Sequence, residues 1–212
     1  MKEQKGIQVI HVYKSFGKET VLKDVSFTIP PGSIYGVVGN NGSGKTVLMK
    51  CICGFMKCDR GRILVGGRQV GKEVDFPDRL GVIIETPGFI PNLSGFKNLK
   101  ILASLKGRIT KKEIRETIRR VGLDPDMKKP VAKYSLGMRQ RLGIAQAIME
   151  EPEVLVLDEP FNGLDRYGVV EIRELLKELK ADGKSILLAS HNAQDIEELC
   201  DDVLDLMREG KG

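Results

Sequence analysis

The chain has 212 residues, 41% of them hydrophobic and 30% charged, with a formal net charge of +5, which suits one large globular domain or a core with a smaller subdomain. Basic residues are spread among acids, with one concentration from Lys106 to Arg120 that reads as a solvated helix face, so no nucleic-acid partner is expected. No stretch approaches the roughly 18 uncharged apolar residues of a membrane-spanning helix, and the charged start Met1-Lys2-Glu3-Gln4-Lys5 lacks the apolar segment of a signal peptide.

In chain order, Ile7 to Val12 and Val25 to Ile29 are strand-like, and Pro30-Pro31-Gly32 is a turn that stops the second. Ile34 to Val38 is the continuous apolar run of a buried parallel strand. It leads into Gly39-Asn40-Asn41-Gly42-Ser43-Gly44-Lys45-Thr46, which fills the pattern G-x-x-x-x-G-K-[ST], and then, beginning with Lys45, Thr46 and Val47, into a helical stretch ending near Phe55. In that order of strand, glycine loop and helix, backbone N–H groups turn inward as an anion cradle and the helix start adds partial positive charge. The implied ligand is a nucleoside triphosphate, with Lys45 reaching the β- and γ-phosphates and the Thr46 hydroxyl holding Mg²⁺. Cys51 and Cys53 point about 200° apart on that helix, poorly placed to share an ion, so the four cysteines read as free, buried thiols.

Ile63-Leu64-Val65 followed by Gly66-Gly67 reads as a strand entering a turn, and Leu80 to Ile84 as a short buried strand ending at Glu85. From Leu93 to Glu151 the spacing is helical. Leu99, Leu102 and Leu105 suggest one helix, and Thr110 to Glu113 is a capping box with Ile114, Ile118 and Val121 as the apolar stripe behind it. Gly122 closes that helix, and a third runs from Leu136 to Glu150 before Pro152. Strands resume at Val154 to Leu157, Ser185 to Ala189 and Val203 to Leu206, alternating with helices at Val169 to Lys180 and Ala193 to Leu199. Residues 1–86 and 152–212 thus read as an α/β core and residues 87–151 as an inserted helical unit.

The strand Val154 to Leu157 ends in Asp158 and Glu159. Carboxylates there, with a phosphate loop upstream, suit an outer Mg²⁺ ligand (Asp158) and a general base for water attacking the γ-phosphorus (Glu159). Ser190-His191 follows the strand Ser185 to Ala189, where a histidine can sense the γ-phosphate; by itself it would read as a partly exposed loop residue. His11, in an early strand with no chemical company, reads as structural.

With these residues in view the chain resembles the nucleotide-binding subunits of ABC transporters over nearly its whole length. Tyr134-Ser135-Leu136-Gly137-Met138-Arg139-Gln140-Arg141 is similar to that family's signature, usually L-S-G-G-Q, from which it departs by Leu136 for the first glycine and by Met138-Arg139 before Gln140. Ser135 is a helix N-cap, and Gly137 lets a triphosphate approach the helix start. The resemblance implies an α/β P-loop NTPase with a RecA-like core, an N-terminal antiparallel β subdomain and an inserted all-helical subdomain. It also implies that two ATP molecules are sandwiched in a head-to-tail dimer, with Ser135, Gly137 and Gln140 facing the partner's nucleotide.

Carried over residue by residue, the resemblance makes Phe16 the aromatic stacked on adenine, with Tyr13 the runner-up, and His191 the switch histidine. Lys45 then counts among the catalytic groups, and Asp165, in Asn162-Gly163-Leu164-Asp165, is a structural organiser. Glu85 stands where most members have glutamine. It offers Mg²⁺ a charged oxygen, and repels the γ-phosphate unless the metal lies between. Glu85 to Phe89 and Pro91 to Gly95 are similar to ATPases of bacitracin export and lantibiotic immunity. That implies export of a peptide antibiotic by a separate transmembrane permease, with this subunit on the cytoplasmic face of the membrane. Phe89, Ile90 and Leu93 either dock that partner or pack within the helical unit. Family members continue for another strand or more beyond the equivalent of Gly212, which implies a shortened or minimal cassette. The rival reading is an ABC ATPase of assembly or repair without a membrane partner. A kinase is excluded by the signature and switch residues.

Overall fold

A computed structural model describes residues 6–206; the readings of Met1 to Lys5 and of the end at Gly212 lie outside the described residues. β1 (Ile7–Phe16) and β2 (Glu19–Ile29) form a long antiparallel hairpin, extending both predicted strands toward the turn at Gly17. Ile7, Val9 and Val12 are buried. The step from Val9 to Val12 breaks strict alternation, and the register shifts there with His11 in left-handed backbone (φ 50°), as a bulge requires. The bulge corrects the reading of His11 as a residue without company. Its N–H donates to Ser26 Oγ and its Nδ1 lies 2.7 Å from Asp24 Oδ1.

β3 (Ser33–Val38) leads into α1 (Lys45–Ile52), which ends three residues before Phe55 because Gly54 turns left-handed at φ 82°. Cys51 and Cys53 are buried and free, and burial pushes their thiols up to about 11 and about 12. β4 (Arg60–Val65) and β5 (Arg68–Gln69) flank the Gly66-Gly67 turn and complete the antiparallel sheet, in the order β2-β1-β4-β5.

After β6 (Leu80–Ile83) come three helices, α2 (Gly95–Lys106), α3 (Lys111–Arg120) and α4 (Leu136–Ile148). Each begins on a hydroxyl cap, Ser94, Thr110 or Ser135, and Thr110 with Glu113 forms the full capping box. Leu99 is fully buried, whereas Leu105 is 78% exposed. A three-residue step advances about 300°, so two such steps swing Leu105 off the face that Leu99 buries.

β7 (Val154–Asp158), α5 (Arg166–Ala181), β8 (Ser185–Ala189), α6 (Ala193–Leu199) and β9 (Asp202–Asp205) complete the described fold. The parallel sheet runs β6-β7-β8-β3-β9. Its two faces feed different cores. Val154, Val156 and Leu187 pack toward α1 and the antiparallel sheet, while Leu155, Leu157, Ile186 and Leu188 pack toward α4 and α5. Strands covered on both faces read as unbroken apolar runs, which is why the sequence shows them so plainly. β3, β7 and β8 all end at one edge of this sheet, where α/β proteins hold their ligands.

Candidate functional site

At that edge the glycine loop closes onto α1 through Gly44, whose φ of 98° and contacts exclude a side chain: a Cβ there would sit 2.9 Å from Val21 Cγ1. Lys45 Nζ donates to the loop's own carbonyls, Gly39 O at 2.6 Å and Asn40 O at 3.1 Å. Ser43 Oγ is buried without a hydrogen-bond partner. An orphaned buried hydroxyl is costly, and together with the inward-facing ammonium it fits a bound phosphate, which makes stronger, charge-assisted bonds than carbonyls do.

Thr46 Oγ1 donates to Asp158 Oδ2 at 3.0 Å, so the first turn of α1 and the end of β7 bring two hard oxygen donors together. A hard divalent cation suits that pair. The register of β7 on β8 pairs Asp158 with Ala189, so the next residues of each strand emerge side by side. Glu159 N–H donates to Ala189 O at 2.9 Å, Gln140 Nε2 donates to Glu159 O at 3.2 Å, and His191 Nδ1 lies 2.7 Å from Glu159 Oε1.

These groups line a cleft of about 640 Å³ that also takes in Phe16, Asn41, Gly42, Val47 and Glu85. Phe16 is on its wall and Tyr13 is not, because Tyr13 lies deeper in the strand, opposite Arg60. Glu85 reaches the cleft but is held by Lys50, whose Nζ donates to Glu85 Oε1 at 2.6 Å. Glu85 and Glu159 both take left-handed backbone, with φ 60° and 50°, a conformation that costs non-glycine residues and clusters at working sites.

Four of the predicted nucleotide contacts stand back from the cleft: Gly39, Asn40, Ser135 and Gly137. Ser135 caps α4, accepting from Met138 N–H at 3.1 Å. Gly137 already abuts its own chain, since a Cβ there would lie 2.7 Å from Gly163 O. Its lack of a side chain is therefore required by the loop after the acid pair, whatever it does for a phosphate. Asp165 caps α5 through Gly168 N–H at 2.8 Å, as a structural organiser does. The cleft also includes Val21, Thr86, Leu136, Arg139 and Asn162, which sequence reasoning left unassigned as nucleotide contacts. Arg139 and Leu136 carried a signal as departures from the expected signature, and Thr86 and Asn162 lay inside motifs that gave them no contact role.

The loop of Phe89, Ile90 and Leu93 is pinned by Asn98, which accepts from Ile90 N–H at 2.7 Å and donates to Ile90 O at 3.1 Å. Phe89 packs against the core, whereas Ile90 stays 48% exposed.

Residues 22–162, spanning the glycine loop, the acid pair and the signature, match the family described as ABC transporter. The chain belongs to the ABC transporter family. It is an ABC-type ATPase, the ATP-binding subunit of a transporter, and no helix among its described residues is long and apolar enough to cross a membrane. This ABC subunit is similar to an uncharacterized ABC transporter ATP-binding protein, YybJ, of Bacillus subtilis (strain 168), with 42% identity over 94% of this chain and 92% of that protein. It is also 42% identical to the bacitracin transport ATP-binding protein BcrA of Enterococcus faecalis, over 96% of this chain and 67% of that protein. The lantibiotic transport ATP-binding protein SrtF of Streptococcus pyogenes is 38% identical, over 97% and 88%. A solved ATP-binding subunit of an ABC transporter superposes with a TM-score of 0.84 at 30% identity, over 94% of this chain and 85% of that one.

Proposed function

We propose that this subunit hydrolyses ATP with Glu159 as general base, in a head-to-tail dimer that drives export of a peptide antibiotic through a separate membrane permease. The observation that carries the catalytic part is the junction of β7 and β8, where Glu159 and His191 meet at the mouth of the phosphate cleft. The glycine loop, Ser43 Oγ and Lys45 bind and orient the triphosphate, and Phe16 offers its exposed ring to the base. Thr46, Asp158 and Glu85 are the residues that would hold Mg²⁺, which when bound neutralises charge developing on the phosphates.

Glu159 Oε1 is taken by His191, which leaves Oε2 to accept the proton of the attacking water. His191 lines the same cleft, and as a γ-phosphate sensor its hydrogen bonds would differ before and after hydrolysis. Ser135 and Gly137 at the signature helix start, which do not line their own cleft, suit contact with nucleotide on a second copy. Export of a peptide antibiotic is supported by the names of BcrA and SrtF and by Glu85 in place of glutamine. On this reading residues 87–151 form the helical unit that relays nucleotide state to the permease at the cytoplasmic membrane face.

Glu159→Gln tests the mechanism. Turnover is expected to fall about 10²- to 10⁴-fold while ATP and Mg²⁺ still assemble a dimer visible by light scattering. Retained turnover places the base elsewhere, with Glu85 the next carboxylate in the cleft. Lost turnover without a dimer removes the sandwich for the isolated subunit.

A further inference from the structure

Behind the cleft, a chain of buried polar groups ends beside His191. Arg173 of α5, Asp195 of α6 and Ser190 after β8 are 6%, 2% and 4% exposed. Arg173 donates to Asp195 Oδ1 from Nε at 3.1 Å and from Nη2 at 2.5 Å, and from Nη1 to Glu198 Oε2 at 2.6 Å. The other carboxylate oxygen, Asp195 Oδ2, accepts the Ser190 hydroxyl at 2.7 Å. Ser190 Oγ in turn accepts from Asn192 N–H at 3.2 Å. His191 is thus bracketed by two residues anchored on one hydroxyl, although its own side chain is 75% exposed.

Burying ionised groups costs several kcal/mol each, and apolar residues of similar volume are often as stable or more so. A role beyond stability therefore suits this network. The Arg173 bonds to Asp195 and Glu198 already tie α5 to α6. The Ser190 bond adds nothing to that joint; it reaches only the loop that carries His191.

We infer that Ser190 is a positioning residue. Its bond to the Arg173-held Asp195 fixes the loop so that His191 Nδ1 meets Glu159. The inference rests on the reading that His191 and Glu159 work as a pair in hydrolysis. A loop freed at Ser190 swings the imidazole away, and misplacement on the scale of 1 Å slows a chemical step strongly. Neither the glycine loop nor Phe16 touches this network, so ATP binding stays as it was.

The test is steady-state ATPase of the wild type, Ser190→Ala, Ser190→Thr, His191→Ala and the double variant Ser190→Ala/His191→Ala. Thermal melting and binding of a fluorescent ATP analogue are measured alongside. Ser190→Ala is expected to lower kcat about 10- to 100-fold with KM and analogue affinity near wild type, in assays held well below a Tm that drops because Asp195 Oδ2 loses its partner. Ser190→Thr keeps the hydroxyl and restores the rate. The double variant is expected to be no slower than His191→Ala, because Ser190 acts through the imidazole. A full additional loss in the double variant overturns the inference, as does a kcat that returns to the wild-type value when each protein is assayed at the same interval below its own Tm. His191→Ala at the wild-type rate overturns the His191–Glu159 reading and the inference with it. A slow His191→Ala beside a wild-type Ser190→Ala overturns the inference alone.

Discussion

Glu159 and Glu85 both bear their carboxylates on left-handed backbone, yet they are held in opposite ways. Glu159 is fixed by Ala189 O, Gln140 and His191, so the proposed base is aimed before substrate arrives. Glu85 is 65% exposed and, among the described residues, bound to the end of the Lys50 side chain alone, a contact that solvent screens and that is easily exchanged. As a metal ligand it would offer Oε2, with the Lys50 ammonium on Oε1 close enough to repel the cation. Glu85→Gln is therefore expected to raise the Mg²⁺ concentration for half-maximal ATPase, and Lys50→Ala to lower it, in a Mg²⁺ titration at fixed ATP. Unchanged midpoints in both variants confine Glu85 to the junction of core and helical unit. The residue types at the cleft were legible one by one in the sequence, but the Lys50 partner was not. Lys50 lies five positions past the P-loop lysine on a helix face with no motif of its own, and only the tertiary fold brings it to Glu85, two residues past β6.

Signature helix α4 and the loop after the acid pair meet within this chain. Gly163 O takes the space a Gly137 side chain would need, and the Leu136 side chain lies so near Gly163 that a Cβ there would come 2.4 Å from Leu136 Cγ. Gly137→Ala must push that loop away, at about 1–3 kcal/mol for a backbone shift in a packed site. The expected outcome is a lower Tm together with reduced turnover, checked by thermal melting and ATPase on the same preparation; an unchanged Tm shows that the loop yields freely. On the proposed reading, permease docking falls to the segment between β6 and α2. A charge at Phe89 would disrupt core packing as well as any docking, so Ile90 is the cleaner probe. Ile90→Glu is expected to leave basal ATPase and Tm intact and to abolish protection against the antibiotic in cells carrying the permease. Unimpaired protection places docking elsewhere.

Across the whole molecule, Asp201 joins three elements. Its Oδ2 accepts Ile34 N–H at 2.8 Å at the start of β3, and its Oδ1 pairs with Lys180 near the end of α5, just after α6 has ended. Burial pushes its carboxyl up, but Lys180 and the Ile34 N–H outweigh burial and hold it below the usual carboxylate range. A folded pKa below the unfolded one stabilises the fold above the unfolded value of about 3.9, and that contribution is lost as pH falls through the folded value. Melting followed from pH 7 to 3 is expected to show wild-type Tm falling more steeply below about pH 4 than that of Asp201→Asn, which starts lower and changes less. Parallel curves would remove Asp201 from the acid-labile set.

By itself the sequence determined the glycine loop between β3 and α1, the two-sided parallel strands and the caps of α3 and α4. Each rests on neighbours a few positions apart: a glycine spacing, an unbroken apolar run, or a hydroxyl three residues before its N–H. Short-range chemistry of that kind is written along the chain. Tertiary structure alone decided that Asp158 pairs with Ala189, which sets Glu159 against His191, that Gly163 fills the space beside Gly137, and that the β1 bulge gives His11 to Asp24. Those pairings join segments far apart in the chain, and their register is set by how two sheets and six described helices share two cores, which no local pattern encodes.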